Sequence, residues 1–426
     1  LLGLGFPPLC AAVICLAFNS VPVTFGAVGT PVLQGLKAVE SFGVAALGLS
    51  DPSMFYKIVG EYATLMHLPM AYILPIFMLG FMTRFFGKNK SWAEGFRAWK
   101  YCLMASTCFV VPYLILAWTV GPELPSMVGG LLGLGVLVYL TRKGFCIPRD
   151  EVWQFAPTAE WDHDWSGEIK ASDATDFTDH MSQTRAWMPY VLCGLILVLT
   201  RVPAFGLKPL INTYGVVGVS NVLGQEGVGA SLALLNLPGT IPFILVSIIT
   251  IGLHAMSPAK VSGAWTTAFK KMKAPTIALI SAVALVSVFK GSGVNADGLP
   301  SMPMAMAQFV ANLTGNAWPY FASYAGGLGA FITGSCTVSD MLFGNFQWDV
   351  ANALNFSPLG HYVILAAQAV GGAMGNMICI HNIVAVCAVL GMIGHEGTIL
   401  RRTVIPFILY SIPVGLVAGY LIASGI

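Results

Sequence analysis

Long stretches without a charged residue divide this chain into segments of the length that a membrane helix needs. A helix must hold about 20 apolar residues to cross a bilayer. Uncharged segments of that kind cover residues 62–83, 101–122, 124–141, 227–259 and 403–426. Two shorter ones, 186–200 and 274–289, end on Arg201 and Lys290, whose long side chains we expect to reach the membrane interface. The pattern predicts a chain that crosses the membrane several times.

Two further uncharged segments, 298–339 and 350–395, are too long for one helix. Both are rich in Gly, Asn, Ser and Thr. Polar, glycine-broken backbone is tolerated at membrane depth only where protein or a water-filled cavity surrounds it. These two segments therefore point to a transport site.

Two similar turns, rich in glycine and hydroxyl side chains, lie near the two ends of the chain. They read Asn19-Ser-Val-Pro-Val-Thr-Phe-Gly-Ala-Val-Gly-Thr-Pro31 and Gly329-Ala-Phe-Ile-Thr-Gly-Ser-Cys-Thr-Val-Ser339. Such a turn suits a re-entrant hairpin, whose tip presents backbone N–H groups and helix ends to a cavity. An apolar helix with a predicted break follows each turn, at Pro69 and Pro75 in the first half and at 371–382 in the second.

This repetition predicts an all-α polytopic membrane transporter with inverted repeats, two re-entrant hairpins and discontinuous helices. We expect a first repeat over 1–141, a hydrophilic loop over 142–185, and a second repeat over 186–426 with its hairpin near 317–345. Because 36 uncharged residues precede Lys37, we expect the sequence to begin inside a membrane segment. Three GxxxG pairs occur; 129/133 and 415/419 predict close helix packing, whereas 371/375 fits either packing or a binding site.

Composition excludes a soluble protein. Hydrophobic residues make up 56% of the 426 and charged residues 9%, against about 25% charged in soluble domains. The 21 Lys and Arg nearly balance the 19 Asp and Glu, so we expect no nucleic-acid partner. Nine cysteines without a CxxC pair indicate neither a disulfide framework nor a zinc site, and no cofactor is expected.

Residues 142–185 form a hydrophilic insert with nine acidic and five basic side chains. Part of it, residues 162–173, approaches the spacing of a calcium-binding loop. The last ligand would be Asp173 rather than glutamate, and Pro157 interrupts the preceding helix. We therefore expect a solvated acidic loop and no metal site.

At several motifs the sequence resembles the bacterial lactate permeases, a family that also includes glycolate permeases. Besides the first turn, the matching segments are Gly121-Pro-Glu-Leu-Pro125, Ser292-Gly-Val-Asn295, Gly329-Ala-Phe-Ile-Thr-Gly-Ser335, Asn376-Met-Ile-Cys-Ile-His-Asn-Ile-Val-Ala-Val386 and Gly394-His-Glu-Gly397. The resemblance implies multi-pass location in the bacterial inner membrane and proton symport of L-lactate, D-lactate or glycolate. It also implies the two-hairpin, elevator-like architecture of the ion-transporter superfamily. Where relatives carry Asn or Asp in the second turn, this chain has Cys336, and a carboxylate follows at Asp340.

A monocarboxylate anion needs hydrogen-bond donors, which helix N-termini and hydroxyl groups supply. The predicted substrate-binding residues are Thr24, Gly26, Gly29 and Thr30 on the first tip, Ser335, Cys336, Thr337 and Ser339 on the second, and Asn376 and Asn382 beyond it. Proton coupling needs an ionisable group inside the membrane. The predicted residues are Asp340, which stands nearest to a tip, His67 and His381.

Other functions remain open at this point. Sodium-coupled dicarboxylate uptake would use the same polar tips. An enzyme is not expected, because His395-Glu396 lacks the second histidine of an HExxH motif, and two broken hairpin units argue against a passive channel. The sequence leaves open the membrane orientation and the oligomeric state, a homo-oligomer included.

Overall fold

The computed structural model describes residues 1–148, 153–167, 181–202, 205–214, 216–219, 230–233, 235 and 239–426. Most of them are helical, as predicted. The helices are α1 (Pro8–Phe18), α2 (Ser20–Val23), α3 (Gly26–Gly35), α4 (Glu40–Leu47), α5 (Ser53–Phe86), α6 (Trp92–Phe96), α7 (Trp99–Thr119), α8 (Gly130–Arg142), α9 (Gln183–Arg201), α10 (Leu207–Thr213), α11 (Thr240–Leu253), α12 (Pro258–Gly291), α13 (Met302–Thr314), α14 (Trp318–Thr333), α15 (Cys336–Ala353), α16 (Pro358–Gly375), α17 (Ile380–Leu390) and α18 (Glu396–Ala423). The strands found among the described residues form one antiparallel ribbon, β1 (Val216–Val219) with β2 (Ala230–Ala233).

Among the described residues, five helical segments are long and apolar enough to span a membrane: Ser53–Phe86, Trp99–Thr119, Pro125–Arg142, Pro358–Leu390 and Glu396–Ala423. Helix α18 shows how they would meet lipid. From Ile405 onward, its exposed large side chains recur at three- to four-residue intervals and are all apolar or aromatic: Ile405, Ile408, Ile412, Leu416 and Tyr420. An apolar stripe on the outside of an apolar helix suits contact with acyl chains rather than water. The chain is a polytopic membrane protein.

Several predicted boundaries were wrong. The segment 227–259 holds β2 and α11 rather than one spanning helix, and its residues 227–229 lie outside the described residues. Segment 274–289 belongs to α12, which already begins at Pro258 and runs through the lysines at 260, 270, 271 and 273. Lysine is a good helix former, so a cluster of charges need not end a helix.

The expected break at Pro69 and Pro75 was also wrong, because α5 is continuous from Ser53 to Phe86. Each proline removes one helical N–H donor, but neighbouring groups can satisfy the freed carbonyl within a membrane bundle. In the second half, α16 ends at Gly375 and α17 begins at Ile380, so that helix is discontinuous inside the predicted segment.

Helix α16 is the centre of the bundle: every residue from Gly360 to Gly375 is buried. Its glycines allow α14 to approach closely. A Cβ atom added at Gly371 would lie 2.1 Å from the carbonyl oxygen of Ser323, and one at Gly375 would lie 2.6 Å from that of Gly327. The 371/375 pair therefore serves helix packing, as do 129/133 against α7 and 415/419 against α14.

Part of the acidic insert packs on the bundle instead of being solvated. Trp165 is only 5% exposed and its ring centroid lies 5.1 Å from that of Phe86 at the end of α5. The indole Nε1 of Trp153 donates to a carboxylate oxygen of Glu94 at 2.9 Å. Hydrogen bonds from Asn89 and Trp153 hold the pKa of Glu94 below its ordinary value. Asp173 lies outside the described residues.

Candidate functional site

The first tip is a sharp reversal between α2 and the body of α3. Ala27, Val28 and Gly29 have positive φ angles of 44°, 61° and 78°. A Cβ atom at Gly29 would lie 2.5 Å from the carbonyl oxygen of Pro122, so only glycine allows this approach. The Thr30 hydroxyl donates to the Ala27 carbonyl at 2.6 Å and closes the turn. Gly26 is half-buried, with open space where a Cβ atom would lie.

Thr24, just before this reversal, begins a buried hydrogen-bonded chain through α5 to α18. Its Oγ1 lies 2.7 Å from Nε2 of His67, and Nδ1 of His67 lies 2.6 Å from the phenol oxygen of Tyr410. All three residues are fully buried. The predicted proton-coupling residue His67 therefore links the first tip to the last helix.

The second tip lies between α14 and α15. Helix α14 ends at Gly334, which has a φ of 77°, and Ser335 caps α15 by accepting a hydrogen bond from the N–H of Val338. Cys336, Ser339 and Asp340 are buried, whereas Ser335 and Thr337 remain half-exposed. The predicted residues of this tip thus divide into an inner and an outer set.

The two tips meet at one backbone carbonyl of α16. The Thr24 hydroxyl and the Cys336 thiol both donate to the carbonyl oxygen of Ala369, at 3.5 and 3.4 Å. The approach is tight on both sides: a Cβ at Gly35 of α3 would lie 2.6 Å from Cβ of Asp340, and one at Gly372 would lie 3.0 Å from Sγ of Cys336. Residues more than 300 positions apart in the chain therefore form one polar cluster.

Asp340 is fully buried within this cluster. Its Oδ1 accepts from the side-chain amide of Gln368 at 3.3 Å, and the Cys336 thiol lies 3.8 Å from Oδ2. The ion pairs Lys37–Glu40 and Lys57–Glu61 do not include Asp340. A buried carboxyl group that hydrogen bonds only to neutral groups suits a site that binds and releases a proton.

Beyond Ala369, the end of α16 faces the outer part of the second tip. Nδ2 of Asn382 donates to the Asn376 carbonyl at 3.1 Å, and Oδ1 of Asn376 is buried without a hydrogen-bond partner among the described residues. A Cβ at Gly334 would lie 3.0 Å from Nδ1 of His381. The first turn of α17 therefore lies next to Gly334, the residue before the cap of α15, and the N-terminus of each helix carries positive partial charge.

A buried charged pair lies next to the residues that pack on Val28 of the first tip. Arg201, at the end of α9, is 3% exposed and Glu123 is 5% exposed, and the two side chains attract each other electrostatically. Val28 of the tip packs with Leu124 and Leu197, the neighbours of this pair. Arg201 therefore does not reach toward the membrane interface as expected.

The structure brings together predicted residues of both tips (Thr24, Cys336, Ser339, Asp340 and His67) and places Ser335, Asn376, His381 and Asn382 at a second, more exposed position. Gly26, Gly29 and Thr30 shape the first tip and make no contact with that cluster among the hydrogen bonds described. Sequence reasoning missed Tyr410, Gln347, Gln368, Glu123 and Arg201. The two glutamines had a usable signal, since both are amides within or beside long uncharged segments.

Lipid-facing helices around a buried polar cluster, closed by two helical tips from opposite ends of the chain, define a membrane transporter. The comparison with known families agrees: the L-lactate permease model matches residues 1–423, and the chain belongs to this family.

Individual relatives cover almost the whole chain. It is 32% identical to the putative L-lactate permease of Haemophilus influenzae, over 99% of this chain and 74% of that protein. It is 26% identical to the L-lactate permease of Escherichia coli K12, over 98% and 71%, and 28% identical to the glycolate permease of the same strain, over 98% and 72%. A comparison with solved structures found no match.

Proposed function

We propose that this permease imports L-lactate, and related 2-hydroxy monocarboxylates such as glycolate and D-lactate, together with a proton across the bacterial inner membrane. The observation that carries the proposal is the meeting of both tips at Ala369, beside the buried carboxyl group of Asp340. The names of the relatives, lactate and glycolate permeases, support the substrate class. The substrate crosses unchanged, without enzymatic chemistry.

The substrate carboxylate binds between the N-termini of α15 and α17. Helix N-termini bind anions because their N–H groups are free and their dipoles favour negative charge. Ser335 and Thr337 are half-exposed there, and Asn382 adds an amide. The 2-hydroxyl group of the substrate donates to Oδ1 of Asn376, a buried acceptor that has no partner among the described residues. The tips around this position are shaped by the other predicted substrate-binding residues: Thr24, Gly26, Gly29, Thr30, Cys336 and Ser339.

Asp340 carries the proton. Protonation removes the negative charge of the Asp340 carboxylate, which would otherwise repel the substrate anion. Binding of the proton and binding of the anion therefore favour each other. Such coupling is reciprocal and is typically worth a factor of about 5 to 150 in affinity. His67 takes part through its bond to Thr24, and His381 through its place beside Gly334.

Alternating access follows from the two repeats, 1–141 and 186–426, with their hairpins near 19–31 and 317–345. A movement that separates Thr24 from Ala369 would open the cluster on one side. Helix α16, buried from Gly360 to Gly375, is the surface against which both tips move.

The Asp340→Asn substitution tests the proton-binding role, with Asp349→Asn on the same helix as the matched control. Asp349 is half-buried and has no contact with Ala369 among the hydrogen bonds described. In proteoliposomes, we expect Asp340→Asn to lower proton-driven lactate accumulation by about tenfold or more and to abolish its pH dependence. Exchange of labelled for unlabelled lactate, which needs no net proton movement, should persist. Asp349→Asn should retain both activities.

Retention of wild-type accumulation and pH dependence by Asp340→Asn would overturn the proton-binding role. Uptake that depends on sodium instead of a proton gradient would favour the sodium-coupled alternative.

A further inference from the structure

A directed chain of hydrogen bonds runs through the protein interior to Asp340. The indole Nε1 of Trp318 donates to Oε1 of Gln347 at 2.9 Å, and Nε2 of Gln347 donates to Oε1 of Gln368 at 3.0 Å. Nε2 of Gln368 then donates to Oδ1 of Asp340 at 3.3 Å and to Oγ of Ser339 at 3.1 Å. Both glutamines and Asp340 are fully buried.

The groups at the Trp318 end of this hydrogen-bonded chain determine which way the side-chain amides of Gln347 and Gln368 are turned. An indole N–H can only donate, and a backbone carbonyl can only accept. The Gln347 amide contacts one group of each kind. Its oxygen accepts from the indole of Trp318, and its nitrogen donates to the Ala322 carbonyl at 2.9 Å. Its second N–H must then point at Gln368, which in turn must present its own N–H groups to Ser339 and Asp340.

On α3, α13, α14 and α16, the described residues offer no charged side chain that could do the same work. Helix α13 has no titratable residue, and Lys37, beside α3, pairs with Glu40. The other titratable side chains of the flanking helices have partners elsewhere or face α18: Tyr320, Tyr324, His361 and Tyr362. Among the described side chains, the Cys336 thiol is the titratable group that faces Asp340.

We propose that Gln347 is a positioning residue that, through Gln368, holds an N–H donor against the Asp340 carboxyl group and thereby sets the pH range in which it exchanges its proton. The inference rests on the proposed role of Asp340 in transport. A donated hydrogen bond stabilises an ionised carboxylate, whereas an amide turned by 180° would present oxygen and stabilise only the protonated form. Nε2 of Gln368 also donates to the Ser339 backbone carbonyl at 3.3 Å, so removing Gln347 loosens the hold on this donor without releasing it entirely.

The test is Gln347→Met, which keeps the side-chain length and removes the amide. The exposed Gln308→Met on α13 is the matched control. Infrared spectra of the purified protein are recorded against pH. The band to follow is the protonated-carboxyl band that is present in the wild type and missing in Asp340→Asn. We expect the midpoint of this band, and of the pH profile of lactate uptake, to rise by about one pH unit in Gln347→Met and to stay unchanged in Gln308→Met.

Trp318→Phe, which removes only the first donor, provides a milder variant should Gln347→Met fold poorly, and should shift the midpoint in the same direction. An unchanged midpoint in the folded variants would overturn the role of Gln347. Absence of any band that depends on Asp340, together with unchanged proton coupling in Asp340→Asn, would instead overturn the proposed function.

Discussion

At the scale of single residues, the phenol of Tyr410 and the hydroxyl of Thr24 bond the two ring nitrogens of His67. In the tautomer with the proton on Nε2, His67 donates to the Thr24 oxygen and leaves the Thr24 hydroxyl to donate to the Ala369 carbonyl. Nδ1 of His67 is then the acceptor for the phenol proton of Tyr410 at 2.6 Å. In either tautomer both ring nitrogens of His67 have a hydroxyl partner, and these two bonds connect the first tip to α18.

We expect Tyr410→Phe to lower the free energy of unfolding by about 1–3 kcal/mol, because it leaves a buried ring nitrogen without its partner. It should also slow lactate uptake, since Thr24 loses a fixed neighbour at the tip. Tyr420→Phe on the same helix is the control, because Tyr420 is 72% exposed. Thermal unfolding in detergent and uptake in proteoliposomes measure both effects. Equal behaviour of the two variants would contradict a role for the chain from Thr24 to Tyr410.

Thr24, His67 and Asp340 could be singled out from sequence because polar or ionisable side chains stand out in apolar segments. Tyr410 could not be assigned. Tyrosine is common in membrane helices, and the partner of Tyr410 lies 343 positions away along the chain. Such a contact follows from helix packing, which local patterns do not contain.

At the scale of elements, the pair Glu123–Arg201 fixes the loop before α8 and the end of α9 beside the first tip. We expect Arg201→Gln or Glu123→Gln to destabilise the protein by about 3–5 kcal/mol each, because one buried charge loses its partner. The double variant should recover most of that loss. The half-buried pair Lys57–Glu61, at 4.0 Å, is the comparison, and its neutralisation should cost about 1 kcal/mol or less.

A double-mutant cycle on thermal unfolding measures this interaction. Additive effects of Arg201→Gln and Glu123→Gln, without recovery in the double variant, would show that the two side chains act independently.

Uncharged segments predicted α7 to within three residues at each end and also found α5, α8 and α18, whose starts differ from the predicted ones by six to nine residues, because membrane helices must be apolar over a fixed length. The same reasoning failed where other forces decide the outcome. Pro69 and Pro75 do not break α5, since packing keeps the helix continuous. We expected Arg201 at the membrane interface because a pattern of consecutive residues gives no information about its distant partner Glu123.

At the scale of the whole molecule, the acidic insert ties the two halves together at one end of the bundle. Trp165 packs on Phe86, and Arg402 of α18 lies over the rings of Phe85 and Phe86 at 5.5 and 5.2 Å. Asp162 and Asp164 attract the same guanidinium group. Composition predicted the polar character of this segment, but its docking depends on residues far away in the chain. The inverted repeat of the two halves stays a prediction.

The central claim is that a proton gradient drives lactate uptake. The most direct measurement is accumulation of labelled L-lactate by the purified protein in proteoliposomes, under an imposed inward proton gradient and without sodium. We predict accumulation that collapses when a protonophore removes the gradient. Accumulation that appears only after sodium or a dicarboxylate is supplied would contradict the account.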